Sequence, residues 1–135
     1  MLAQTLIIAG AAVLGLLGTV HLLYTFFTDK FNPRDAGTMT AMQAGHPVLT
    51  RRTTLWRAWV GFNASHSLGA MLFAAIYLIL AIQHMALLSA SPTLVWLAVV
   101  GAGSYLLLAQ RYWFRTPLIG IAIGTACFLG AALML

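Results

Sequence analysis

Four long apolar runs, broken by three shorter polar stretches, set the pattern of this chain. Crossing about 30 Å of hydrocarbon takes roughly 20 helical residues. Four segments meet that length: about Ala3–Phe27, Leu55–Ile82, Thr93–Tyr112 and Pro117–Leu135. The runs are continuous rather than alternating, which is a helical and not a barrel signature. Pro92 and Pro117 fall at the starts of the third and fourth runs, where a missing N–H costs nothing. The fourth run is short, which favours little tilt or a locally thinned bilayer.

The first polar stretch is too long for a simple turn. Within it, NPRDAGTMTAMQAGHP predicts a short helix. Asn32 can cap it, Pro33 suits its first position, Asp35 favours its positive end, and Gly45 before His46-Pro47 stops it. Ala36, Met39 and Met42 give that helix a weak apolar stripe, suited to the membrane interface. An ordered loop without a helix is the alternative. QHMALLSASPT, between the second and third runs, reads as an uncharged turn. The expected fold is thus an all-α membrane protein: one domain over residues 1–135, a four-transmembrane-helix bundle with a long first loop.

Composition and charge give that fold a solvent and an orientation. Hydrophobic residues make up 61% of the chain and charged ones 7%, too few to clothe a water-soluble domain. The lipid bilayer is therefore the expected partner. All charged side chains lie between Asp29 and Arg57 or between Gln110 and Arg115. By the positive-inside rule the first and third loops are cytoplasmic and both termini lie on the other side. The bases occupy loops rather than a basic domain, so anchoring at anionic lipid accounts for them better than nucleic acid does. Cys127 is the single cysteine, which excludes an intrachain disulfide. The first run lacks a basic leader and a small-x-small cleavage site, and reads as a retained helix.

Candidate chemistry comes from polar residues inside the runs. On the second, Trp59, Asn63, His66, Ala70 and Phe73 recur at steps of four and three, on one helical face. On the first, Ala11, Leu14, Gly18, His21, Thr25 and Thr28 do the same. Small and polar residues mark contact faces in lipid, so the two stripes are expected to face each other or a shared cavity. At 1.5 Å per residue, His21 and His66 both lie roughly 10–15 Å below the cytoplasmic surface. A cytoplasm-facing pocket is expected around His21, Asn63 and His66, with Trp59 and Arg57 as further ligand-binding candidates. Its occupant would be a lipid or another hydrophobic or amphipathic small molecule, with Trp59, Phe62 and Phe73 as aromatic walls. The bland reading makes Arg57, Trp56 and Trp59 interfacial anchors and Asn63 a link between helices.

Other classes of function stay open. A lipid-like substrate would make this an enzyme with His66 as acid or base and Asn63 polarising a carbonyl. His21 and His66 as axial ligands would suit haem, with Arg51, Arg52 or Arg57 meeting propionates. A metal site would need further ligands, of which His46 is a candidate. The absence of an intramembrane carboxylate disfavours proton-coupled transport. Ser65 and His66 are adjacent and point to different faces, which disfavours a Ser–His hydrolase. A structural accessory subunit of a membrane complex, without pocket chemistry, is the remaining class.

HLLYTFFTDKFNPRD and LTRRTTLWRAWVGFNASHSLG, with the pattern RAW-GFN-SH-LG, resemble a family of small uncharacterised bacterial four-helix membrane proteins. That resemblance implies a multi-pass protein of the bacterial inner membrane and no particular activity. A fainter likeness is to the membrane-associated eicosanoid and glutathione metabolism proteins, in length, helix number and the long first loop. Their Arg-Ala followed by Asn-x-x-Glu is similar to Arg57-Ala58 followed by Asn63-Ala64-Ser65-His66, with wider spacing and His in place of Glu. Tyr105, Arg111, Tyr112 and Arg115 resemble that family's Tyr/Arg-rich helix end. This likeness implies a trimeric, glutathione- or lipid-modifying membrane enzyme. Gly120 with Gly124, and Gly101 with Tyr105, give small-residue faces that suit a homo-oligomer or close packing within one bundle.

Overall fold

The computed structural model describes residues 1–135. It is all-helical: α1 (Leu2–Phe27), α2 (Ala36–Ala44), α3 (Leu55–Gln83), α4 (Met85–Ala90), α5 (Pro92–Tyr112) and α6 (Arg115–Ala132). Of these, α1, α3, α5 and α6 are long and apolar enough to cross a membrane. The chain divides into two compact units, Met1–Leu17 with Ala70–Leu135, and Gly18–Gly69.

The first unit is a four-helix bundle. Its core buries Ile7 and Leu14 of α1, Tyr77 of α3, Val95 of α5, and Ile121 and Phe128 of α6. Small residues fill the crossings: Ala11, Ala74, Ala81, Ala98, Ala102 and Ala131 are all buried. Such residues let helices approach closely enough for dispersion and hydrogen bonds to hold them, since lipid removes the usual hydrophobic drive. Phe128 is fully enclosed and packs edge-on against Phe73 and Tyr77, with ring centroids 5.7 and 5.5 Å away. Polar links cross the helices as well. Gln4 Nε2 donates to the Ala81 carbonyl at 2.8 Å, and the Tyr77 hydroxyl donates to the Leu94 carbonyl at 2.7 Å.

The glycines of α6 are spent inside this bundle. A Cβ on Gly120 would meet Leu17 Cδ1 at 2.8 Å, and one on Gly124 would meet Leu14 Cγ at 3.2 Å. Gly10 of α1 comes equally close to α6, its Cβ position lying 3.0 Å from the Gly124 carbonyl. Gly101 is filled the same way by Phe73, at 3.0 Å. Of the two uses foreseen for these glycines, packing within one chain is the one observed.

The second unit holds the long loop and its helix. α2 begins at Ala36, three residues later than Pro33, because Asp35 rather than Asn32 is the cap. Its Oδ2 accepts from the Thr38 N–H at 2.6 Å and from the Thr38 hydroxyl at 2.9 Å. Asn32 instead closes a turn, its N–H bonding the Asp29 carbonyl at 2.9 Å. Gly45 ends α2 as foreseen, and its carbonyl accepts from the Leu55 N–H, joining the loop to the start of α3. Thr54 then caps α3, its hydroxyl accepting from the Arg57 N–H at 3.2 Å.

Two further differences have local causes. The expected turn after α3 contains α4, six residues long and anchored by fully buried Leu88. α6 starts at Arg115, so Pro117 sits third rather than first, still among the N–H groups that lack a helical partner.

Candidate functional site

The polar stripes of α1 and α3 meet inside the second unit. His21, late in α1, is half-buried; Asn63, in the third turn of α3, is 5% exposed. His21 Nε2 lies 3.0 Å from Asn63 Oδ1. The partners of Asn63 decide which atom carries the proton. Its amide Nδ2 donates to the Trp59 carbonyl at 2.9 Å, a group that can only accept. Oδ1 is therefore the atom presented to His21, and Nε2 of His21 is the donor. In its neutral form His21 is held as the Nε2–H tautomer, with its lone pair on Nδ1.

His66 lies one turn beyond Asn63 on α3. Its ring centroid is 5.5 Å from that of His21, edge to face, so the two imidazoles share one site. Aromatic rings flank them: Phe31 is 4.4 Å from His21, and Phe62 stacks on His66 at 6.2 Å. Ser67 is fully buried, its hydroxyl donating to the Asn63 carbonyl at 2.8 Å. Thr25 likewise bonds the His21 carbonyl at 2.8 Å. Every buried side-chain nitrogen and oxygen has a hydrogen-bond partner.

Of the other sequence candidates, only Trp59 borders the site. Trp59 is 40% exposed, and its indole N–H donates to the Phe31 carbonyl at 3.1 Å. Arg57 is exposed and nine residues before His66, two and a half helical turns, which puts it on the opposite side of α3. It is not a wall of the imidazole site. Phe73 packs with Tyr77 and Phe128 in the first unit. Ser65 is exposed and donates to the Phe62 carbonyl, away from any Ser–His arrangement.

His46 does not fold over the imidazoles; it is exposed, with Nδ1 donating to the Thr53 carbonyl at 2.7 Å. No cluster of three or more His, Cys, Asp or Glu side chains forms, so the donor set falls short of a zinc site. Two imidazoles are enough for haem, yet an axial bond through Nε2 of His21 would have to displace Asn63. Arg111, Tyr112 and Arg115 are exposed, and Tyr105 packs half-buried against the core of the first unit.

The residue that sequence reasoning missed is Phe31. It lies in a non-helical segment and reaches the site partly through its carbonyl, a group with no sequence signature. What the arrangement offers chemically is a pair of imidazoles, one of fixed tautomer, beside aromatic surface and one hydrogen-bonded amide. Comparison with protein-family models, with curated proteins and with solved structures finds no match.

Proposed function

We propose that the His21–Asn63–His66 cluster is a membrane-embedded site for a hydrophobic or amphipathic small molecule or a lipid. The observation that carries this reading is the approach of two imidazoles to 5.5 Å within helices fit to cross a membrane. Ionisable side chains at such positions are costly and mark ligand or ion pathways. The link between α1 and α3 needs only the His21–Asn63 bond, and the second imidazole is what a ligand site adds. Phe31 and Phe62 supply apolar contact for such a molecule, and the imidazoles supply polar contact. The protein sits in the bacterial inner membrane with its charged loops cytoplasmic and both ends of the chain periplasmic, so the site opens toward the cytoplasm.

The test is native mass spectrometry of the protein purified in mild detergent, beside His66→Ala. A stoichiometric small-molecule mass in the wild type, lost in the variant, supports the reading. An absorption spectrum of the same sample, oxidised and then dithionite-reduced, identifies that molecule if it is haem. Turnover of an identified ligand that disappears in His66→Ala would make the site catalytic.

A purely structural subunit is the second reading, and the saturation of Asn63 favours it. Both ends of its amide are bonded within the chain, as is its carbonyl. On that reading the wild type carries no bound molecule, even after expression with added haem and extraction with native lipid.

A further inference from the structure

We propose that Phe31 is a lid over the His21 imidazole and that the Trp59 indole is its latch. Phe31 lies in the non-helical segment that follows α1, shaped by local bonds: Lys30 N–H to Thr28 Oγ1 at 3.2 Å, and Asn32 N–H to the Asp29 carbonyl at 2.9 Å. Neither of these bonds points the segment toward α3. Two other contacts hold Phe31 where it is, one with α1 and one with α3. Its ring rests on the His21 ring at 4.4 Å, tilted by 36°, and its carbonyl accepts from Trp59 Nε1 at 3.1 Å.

Trp59 therefore acts on His21 from two directions. Its backbone carbonyl holds the Asn63 amide that fixes the His21 ring, and its indole holds the residue covering that ring. The backbone carbonyl is locked into a helix. The indole is on a side chain 40% exposed, and a hydrogen bond at an exposed indole opens far more easily than one within a helix. The arrangement separates a fixed part, His21 on Asn63, from a releasable part, Phe31 on the indole. Release of the indole frees the segment to lift and uncovers His21 without disturbing the amide that orients it. Access to His21 is then set by this latch. This inference rests on reading the pair as a ligand site, but the gating is measurable without a ligand.

Diethyl pyrocarbonate is the probe. The unprotonated imidazole nitrogen attacks its carbonyl, forming a carbethoxy-imidazole and releasing ethyl carbonate, which breaks down to ethanol and carbon dioxide. Rates at each histidine are read by peptide mapping of the detergent-purified full chain, with exposed His46 and His84 as internal standards. Phe31→Ala and Trp59→Phe are expected to raise the rate at His21 several-fold and leave the standards unchanged. Phe31→Leu, which keeps apolar bulk, is expected to stay near the wild type. Wild-type rates at His21 in both Phe31→Ala and Trp59→Phe overturn the lid. Acceleration in Phe31→Ala alone overturns the latch. An equal rise at all histidines signals general loosening and also overturns the proposal. The absence of a co-purified molecule bears on the ligand reading alone, so the two failures are distinguishable.

Discussion

His21 and Asn63 are joined by a hydrogen bond of 3.0 Å between the end of α1 and the start of α3, 42 positions apart in the chain. Replacing Asn63 with Ala removes that bond and the one to Trp59. Interhelical bonds of this kind in membrane proteins average about 0.6 kcal/mol and reach about 1.7. Thermal unfolding in detergent should show a loss in that range. In a double-mutant cycle with His21→Ala, the two losses should fall short of additive by the energy of the shared bond. Additive losses would mean that the bond contributes nothing.

Glycine substitutions should rank by what the new methyl meets, not by distance alone. At Gly120 the nearest atom is a Leu17 methyl at 2.8 Å, the far end of a side chain that can turn away. At Gly10 it is the Gly124 carbonyl and Cys127 Cβ, both at 3.0 Å, which cannot. Gly10→Ala should therefore destabilise by about 1–3 kcal/mol, and Gly120→Ala by less. Gly61 and Gly103 have nothing within 4 Å, and their Ala variants should match the wild type or melt slightly higher. Melting temperatures of the four variants check the order.

Tyr77→Phe keeps the ring against Phe73 and Phe128 and removes the donor to the Leu94 carbonyl. The expected cost is about 0.5–1.5 kcal/mol. Hydrogen exchange should localise the effect to the first turns of α5, since Leu94 is the third residue of that helix. A variant as stable as the wild type would show that the bond is not worth its ordering cost.

Asp35 makes α2 sensitive to acid. The Thr38 backbone N–H, then the Thr38 hydroxyl, hold its carboxyl below the ordinary aspartate value. A group whose pKa is lowered by folding stabilises fully above its unfolded pKa, and that support is lost as pH falls through the lowered folded value. Amide protection in Ala36–Ala44 should therefore drop selectively below the ordinary carboxylate range. In Asp35→Ala it should be low at every pH, which exchange measurements along a pH series will show.

The proposed orientation puts the Asp29–Arg57 and Arg111–Arg115 segments in the cytoplasm. Alkaline phosphatase fused after Leu135 should be active, and a green fluorescent protein at the same place dark. The reverse pattern would invert the topology and move the site's opening to the periplasm.

Much of this was legible in the sequence because lipid simplifies the rules. Long apolar runs left helix as the only economical choice, and the four-and-three spacing brought His21, Asn63 and His66 to one place. The misses share a different cause. α4 is held by the tertiary burial of Leu88, which six residues of sequence do not announce. Asp35 replaced Asn32 as the cap: its carboxylate takes the Thr38 N–H, while the Asn32 backbone closes a turn before the helix begins. Phe31 escaped notice since a loop carbonyl accepting from a distant indole leaves no pattern. The position of Arg57 was legible from spacing alone, as nine helical residues separate it from His66 and place it on the opposite side.

The Leu–Gly seam between α1 and α6 has a consequence for biogenesis. Leu6, Leu14 and Leu17 pair with Gly130, Gly124 and Gly120, partners about a hundred or more positions further along the chain. During synthesis α1 enters the membrane long before its complement exists. Its seam must wait in lipid, or in the care of an insertion factor, until the last span arrives. A ribosome stalled before α6 would release a chain whose first helix still bonds α3 through Gln4 and His21 but leaves its α6-facing leucines unmatched, a natural substrate for membrane proteases.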